Sequence, residues 1–306
     1  MSGEAAEAGE ALEAADPPVL HPALPDVPRS ARLPGTGPVG PDEWIVRDEA
    51  FARQMALRDR LAGLPGTLAM LPGSEEAAGE LLGLVLDRLA RDPDYRAEGR
   101  GAAGTRGGAA RPGPSSPRGA IPFPDGTPSA PARGGAPIRV ARPDGVVVPV
   151  DPGRPMATLA RLVQEDLCVL QPGPDGHVLT AGALLFPSFW RLPEKLGRSL
   201  VSIHGPVDEY GPDLAARVQR LFDAIRPGRP LCRWNWLHYD EPWLHQPRDE
   251  AIRRSAGPGA PWLRRERQCL LRLPRTRAVV FTIHTYVVPA PDAAPGRRVR
   301  RPSRSP

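Results

Sequence analysis

The run RRERQCLLRLPRTRAVVFTIHTYVVP, residues 264–289, decides the fold class. In its second half, alternation with a period of two puts Val279, Phe281, Ile283 and Val287 on one face and Thr282, His284 and Tyr286 on the other. In its first half Arg264, Glu266 and Gln268 share one face, and Arg265, Arg267 and Cys269 share the other. So charged a strand is expected at a solvated edge of a sheet, because buried charges need partners. LCRWNWLHY, residues 231–239, is a third strand, with Trp234, Trp236 and His238 on one side and Arg233 and Asn235 on the other. These three strands follow one another with no helix between them. That order predicts an antiparallel sheet packed by a few helices, an α+β fold.

Upstream, LCVLQ and HVLTAGALLF flank PGPDG, two apolar runs around a turn signal, which predicts a hairpin. IRVARPDGVVVPV reads as two short strands around Pro-Asp-Gly, and MATLARLVQEDL as a helix running into a strand. In DLAARVQRLFDAI, Leu214, Val218, Leu221, Phe222 and Ile225 fall on one helical face, and Pro227-Gly228 ends the helix. Nearer the N-terminus, Phe51, Met55 and Leu61 have helical spacing. Ser74 is placed to cap a second helix with Glu75 and Glu76 in its first turn and Leu81, Leu82, Val85, Leu86 and Leu89 as its apolar stripe.

The chain holds 32 glycines and 41 prolines, about a quarter of its 306 residues, so the globular part must be shorter than the whole. Five segments are expected. Residues 1–40 form a disordered tail rich in Ala, Glu and Pro, and residues 41–98 a helical region. Residues 99–137 form a Pro/Gly-rich linker or long loop, with too few large apolar groups to repay ordering entropy. Residues 138–290 form the main domain, and residues 291–306 a basic disordered tail.

The net charge of +5 rests on arginine, with Lys195 the single lysine. The positive excess gathers at Arg297, Arg298, Arg300, Arg301 and Arg304, where a solvated tail explains it more simply than nucleic-acid binding. Cys168, Cys232 and Cys269 include no CxxC pair, which excludes a zinc knuckle or iron–sulfur cluster built on local spacing and suits a reducing compartment. The acidic start has neither a basic n-region nor an apolar h-region, and no apolar run is long enough to span a bilayer, so a cytoplasmic protein with no membrane partner is expected.

No HExxH, GxSxG, Walker-type loop or dinucleotide fingerprint is present, which leaves zinc hydrolase, serine hydrolase, phosphoryl-transfer and Rossmann readings without residues to carry them. Histidines stand at 21, 177, 204, 238, 245 and 284. One imidazole is enough to hold a heme iron, although a structural or surface histidine is the commoner case. Indoles can pack core, stack a planar cofactor or hold a cation.

Four blocks carry a family resemblance: VQEDLCVL (163–170), AGALLFPSFWRLPEKLGRSLVSIHGPV (181–207), RWNW (233–236) and RRERQCLLRLPRTRAVVFTIHTYVVP (264–289). In order and approximate spacing they resemble the heme-dependent oxidative N-demethylase α-subunit family. DEWIVRDEAFARQMALRDRLAG and LPGSEEAAGELLGLVLDRL resemble its N-terminal helical region, so the likeness spans roughly 40–98 and 138–289. It implies a PAS-like antiparallel sheet with flanking helices around a heme pocket. It also implies heme b, dioxygen and a small secondary amine such as dimethylamine, releasing formaldehyde. Electrons would come from an external FMN/iron–sulfur NADPH reductase, as separate subunits or a separate protein, because no motif here binds flavin, cluster or nicotinamide. A non-catalytic heme module sensing gas or redox state is the alternative.

Carried over residue by residue, the resemblance implies His204 as the iron ligand, with a His anchoring the turn before Pro206 as its alternative. Glu266 and Arg267 are implied on the oxygen and substrate side: the arginine to hydrogen-bond bound dioxygen, the carboxylate to hold or deprotonate an alkylammonium. A structural ion pair is the other reading of those two. Trp190, Trp234 and Trp236 would wall the heme or attract the cationic amine. Arg191, Lys195 and Arg198 would neutralise its propionates or form a solvated helix face. His284 stands where the family often has arginine, and so becomes a rival axial ligand.

Overall fold

A computed structural model describes residues 8–9, 11–25, 35–98, 138–204, 212–248 and 259–290. The expected linker at 99–137 and basic tail at 291–306 lie outside these. The helices are α1 (Phe51–Leu61), α2 (Glu75–Leu89), α3 (Pro155–Ala160), α4 (Leu192–Lys195), α5 (Leu200–His204) and α6 (Pro212–Ala224). The strands are β1 (Gly37–Pro38), β2 (Leu68–Met70), β3 (Arg96–Glu98), β4 (Arg139–Ala141), β5 (Val147–Pro149), β6 (Asp166–Gly173), β7 (Gly176–Ala183), β8 (Leu231–Tyr239), β9 (Trp262–Arg272) and β10 (Val279–Pro289).

The fold is α+β, as expected. One antiparallel sheet has the order β1-β8-β9-β10-β6-β7-β2, and a small one has the order β3-β4-β5. The β6–β7 hairpin closes at Gly176, whose φ of 98° is open to glycine at no steric penalty. Ser74 does stand at the N-cap of α2, but its hydroxyl donates backwards to Leu71 O instead of capping the first turn.

The large sheet is covered on both faces. Leu57 and Leu61 of α1, the Leu81–Leu89 stripe of α2 and Leu159 of α3 pack on the face that presents Leu167, Val169, Leu271 and Val280. Each fully buried leucine contributes about 1.5–3 kcal/mol. On the opposite face Leu192, Leu200, Phe222 and Ile225, from α4 to just beyond α6, pack on Cys168, Leu170, Leu270, Val279 and Phe281. Two cores thus sandwich one sheet. Among the described residues no helix is long and apolar enough to cross a membrane.

The charged strand is a correction to the sequence reading. β9 lies inside the sheet between β8 and β10, and Arg264, Arg265, Glu266, Arg267 and Arg272 are all buried. Partners far away in sequence make this tolerable. Arg272, for example, donates to Ile225 O (2.8 Å) and Phe222 O at the end of α6 and to Arg277 O (2.6 Å) in the β9–β10 turn.

The expected N-terminal tail is also ordered in part. Glu13 is buried and accepts from the N–H groups of Leu244 (2.6 Å) and His245 (2.8 Å), while His21 N–H donates to Val287 O (2.9 Å). Backbone donors of the main domain, invisible to composition, recruit this segment. The helical region is tied down more firmly still. Arg58 of α1 donates to Ala160 O, Gln164 O, Glu165 O and Asp166 Oδ1 at 2.8–3.1 Å, and Asp166 also accepts from the N–H groups of Leu185 and Phe186, both at 2.8 Å.

Candidate functional site

Strand alternation places Arg264, Glu266 and Gln268 on the face covered by α4 to α6, the face to which Leu270 contributes. In register on β8, Arg233 stands opposite Gln268 and Asn235 opposite Glu266. Glu266 is buried and saturated with donors: Oε1 accepts from Arg264 Nε (3.0 Å), and Oε2 from Gln268 Nε2 (2.9 Å) and Asn235 Nδ2 (3.4 Å).

Arg264 is itself fixed. It donates to Leu244 O (2.8 Å), Phe186 O (2.5 Å) and Thr285 Oγ1 (3.4 Å), with its guanidinium 5.6 Å from the centre of the Tyr239 ring. Burial alone would pull its pKa down, but Tyr239, Glu266 and Asp166 outweigh that and hold it above the ordinary arginine value. The result is a carboxylate oriented by a permanent cation, with Arg233, Asn235 and Leu237 of the half-exposed strand β8 beside it.

Trp190 packs against the apolar cluster on this same face. Its predecessor Phe189 takes a left-handed conformation (φ 68°), held by Phe189 N–H donating to Gln246 O (3.0 Å) and by a stack on Tyr239 at 4.3 Å. His204 is the last residue of α5, and its side chain lies outside the described residues. Leu200 anchors the start of that helix in the cluster.

Arg191, Lys195 and Arg198 serve this neighbourhood as local braces. Arg191 pairs with Glu194, Lys195 Nζ donates to Ile203 O (2.8 Å), and Arg198 donates to Glu194 O (3.1 Å), Ser202 O (3.0 Å) and Ser202 Oγ (3.2 Å). Lys195 is buried, whereas Arg191 and Arg198 are half-buried.

The remaining candidates lie across the sheet. Arg267 is adjacent to Glu266 and therefore points to the opposite face, in register with His284 and Trp234. The sheet thus separates the two residues paired as catalytic in the sequence reading. Trp234 and Trp236 share the Arg267 face, and their indoles already hold a cation: the Arg265 guanidinium lies 3.2 Å from the Trp236 ring centre and 5.5 Å from that of Trp234.

His284 offers an iron no lone pair in this arrangement. Its Nε2 meets Asp48 Oδ2 at 2.9 Å and its Nδ1 meets Glu165 Oε1 at 3.1 Å, both inside the core. Burial would push the imidazole down, but the two carboxylates overcome it and raise the pKa to about 9. Asp48, also bound by His21 at 3.0 Å, is held far below the usual carboxylate range: burial would raise it, and hydrogen bonds from His21 and His284 more than reverse this. Among the described residues no group of three or more His, Cys, Asp or Glu is arranged to hold a metal ion.

Sequence reading missed Arg264, Asn235 and Gln268 as partners of Glu266. The period-two pattern had put Arg264 and Gln268 on the right face; what it lacked was the β8–β9 register that brings Asn235 across. A small cleft lined by Ile45, Arg47, Arg88, Tyr95 and Gln164 lies on the α2 side, away from the Glu266 face. The family model described as "Haem-dependent oxidative N-demethylase, alpha subunit-like" matches residues 138–300, more than half of the chain, and its span includes every element that builds the Glu266 face.

Proposed function

The chain belongs to the haem-dependent oxidative N-demethylase, alpha subunit-like family, and from that membership we propose that it removes a methyl group from a small secondary amine resembling dimethylamine, using dioxygen and external electrons. The observation that carries this reading is the buried Glu266 carboxylate, fixed by Arg264, Gln268 and Asn235 on the face beneath α4 to α6. On the same face of the sheet, Leu192, Leu200, Phe222 and Phe281 form an apolar wall, with the indole of Trp190 against it and a histidine at the exit of α5; this cluster is closely packed as it stands and would have to open to admit heme b. His204 would ligate the iron, and Arg191, Lys195 and Arg198 would give up some of their local hydrogen bonds to meet the propionates.

When bound, the heme supplies oxygen activation, with electrons drawn from a separate FMN/iron–sulfur NADPH reductase. The protein's own part is binding, orientation and proton handling. Glu266 Oε2 would exchange its long contact with Asn235 Nδ2 (3.4 Å) for an N–H of the alkylammonium; proton transfer to the carboxylate then frees the nitrogen lone pair, without which the amine resists oxidation. Arg264 keeps the carboxylate in place while this happens. Trp190 and the apolar wall exclude water from the methyl group. The sheet and its α4–α6 cover correspond, in this reading, to a PAS-like pocket.

The test combines spectrum and turnover. Heme-loaded protein with a competent reductase should consume NADPH and oxygen on addition of dimethylamine and release formaldehyde, and His204→Ala should lose the Soret band. Heme binding with no formaldehyde across a panel of methylamines would leave only a sensor module. A colourless protein after expression with ample heme would sink the heme reading itself.

A further inference from the structure

We propose that Cys232 and Cys269 form a reversible cross-strand disulfide when the protein meets a hydroperoxide. This rests on the strand register and is independent of the amine chemistry.

The two residues stand directly opposite each other on neighbouring antiparallel strands, on the α1–α2 face. Opposed residues of such a pair have Cα atoms about 4.5 or 5.5 Å apart, and both spacings fall inside the roughly 4.4–6.8 Å that a disulfide spans. Both side chains enter the same core cluster, and the Cys232 thiol donates to Arg233 O (3.6 Å). Cys168 cannot compete, since it packs in the other core across the sheet.

The two thiols are not equivalent. Cys232 keeps 7% of its surface exposed and sits one strand from the sheet edge, whereas Cys269 is fully buried on the interior strand β9. Cys232 is therefore the thiol that peroxide reaches first, the nucleophile, and Cys269 the resolving thiol. Access comes from the side of β8, whose outer neighbour is only the two-residue β1, paired through Gly37↔Cys232. Fraying of two residues bares the Cys232 sulfur.

The reaction balances with one equivalent of peroxide. The Cys232 thiolate attacks a peroxide oxygen; the O–O bond breaks, the sulfur becomes a sulfenic acid, and the departing hydroxide takes up a proton to leave as water. The Cys269 sulfur then attacks the sulfenic sulfur: the S–S bond forms, the S–O bond breaks, and the hydroxyl leaves as a second water with the Cys269 proton. Two thiols and one hydrogen peroxide thus become one disulfide and two waters. The bond staples β8 to β9 one register step from Arg233 and Gln268, beneath the donors of Glu266.

The full-length folded protein would be treated with hydrogen peroxide, unfolded in urea with N-ethylmaleimide, and mapped by mass spectrometry without reductant. The expected map shows Cys168 alkylated and the Cys232 and Cys269 peptides joined, separable by dithiothreitol; oxidation in urea should scramble the pairing. Dimedone should trap a sulfenic acid on Cys232 in Cys269→Ser, and none on Cys269 in Cys232→Ser. Equal alkylation of all three cysteines after peroxide, a bond involving Cys168, or a bond between two chains would overturn the proposal. The wild-type map needs no variant to fold.

Discussion

Arg58 Nη1 lies 2.8 Å from Asp166 Oδ1, and neither side chain is exposed to solvent. This pair joins the helical region to the main domain, and although neutral backbone groups also bond to both side chains, removing one partner leaves the other's buried charge without its counter-charge. Arg58→Met is expected to lower stability by about 3–5 kcal/mol, the usual consequence of leaving one charge of a buried pair uncompensated. Urea denaturation checks this; a loss under 1 kcal/mol would mean that the two regions fold independently.

His284 makes stability depend on pH on the alkaline side. Its folded pKa is raised to about 9 from the ordinary 6.5, so its contribution is complete below about 6.5 and drains away as pH rises through 9. Asp48 acts in the opposite direction, contributing above the ordinary carboxylate range and losing that contribution only in strong acid. Thermal melts between pH 6 and 10 should therefore fall in the wild type. In His284→Gln they should be lower near neutrality and flatter across that range.

Glu13 provides a weaker latch with its own pH response. Burial, opposed by the N–H groups of Leu244 and His245, raises its carboxyl to about 7. A carboxyl raised in the folded state contributes below its unfolded value of 4.5 and loses that contribution as pH climbs through 7. Hydrogen exchange in residues 11–25 should accelerate, relative to the rest of the protein, between about pH 4.5 and 7, and level off above. Glu13→Gln should remove that step, and an unchanged profile in this variant would refute the latch.

Glu266→Gln should reduce kcat for the proposed demethylation by about 10²–10⁴-fold, the range for loss of a positioned acid–base group, with the heme spectrum preserved. Arg264→Lys should act through Glu266, whose Oε1 it holds at 3.0 Å, lowering kcat less and leaving the heme spectrum unchanged. Wild-type turnover by Glu266→Gln would show that the carboxylate is structural.

The elements were legible in the sequence where periodicity is local. The β6–β7 hairpin, the α2 stripe and the alternation of β10 all came from residues within a dozen positions of one another. The interior position of β9 was not legible, because the partners that permit it, such as Phe186 O and Leu244 O for Arg264, lie 78 and 20 residues away. The same distance rule governs the site. Glu266 could be singled out and its face assigned, but Asn235 joins it only through the β8–β9 register, and Arg267 leaves it only once the strand is known to be covered on both sides.

The solitary lysine, tucked against Ile203 O where α4 meets α5, makes the chain unusual as a reagent. Amine-directed dyes and cross-linkers have a single side-chain address, buried beside the apolar cluster and reachable only when that corner opens. A fluorophore placed there would report the opening of that corner, and lysine-specific proteases would divide the polypeptide into two pieces at this one joint.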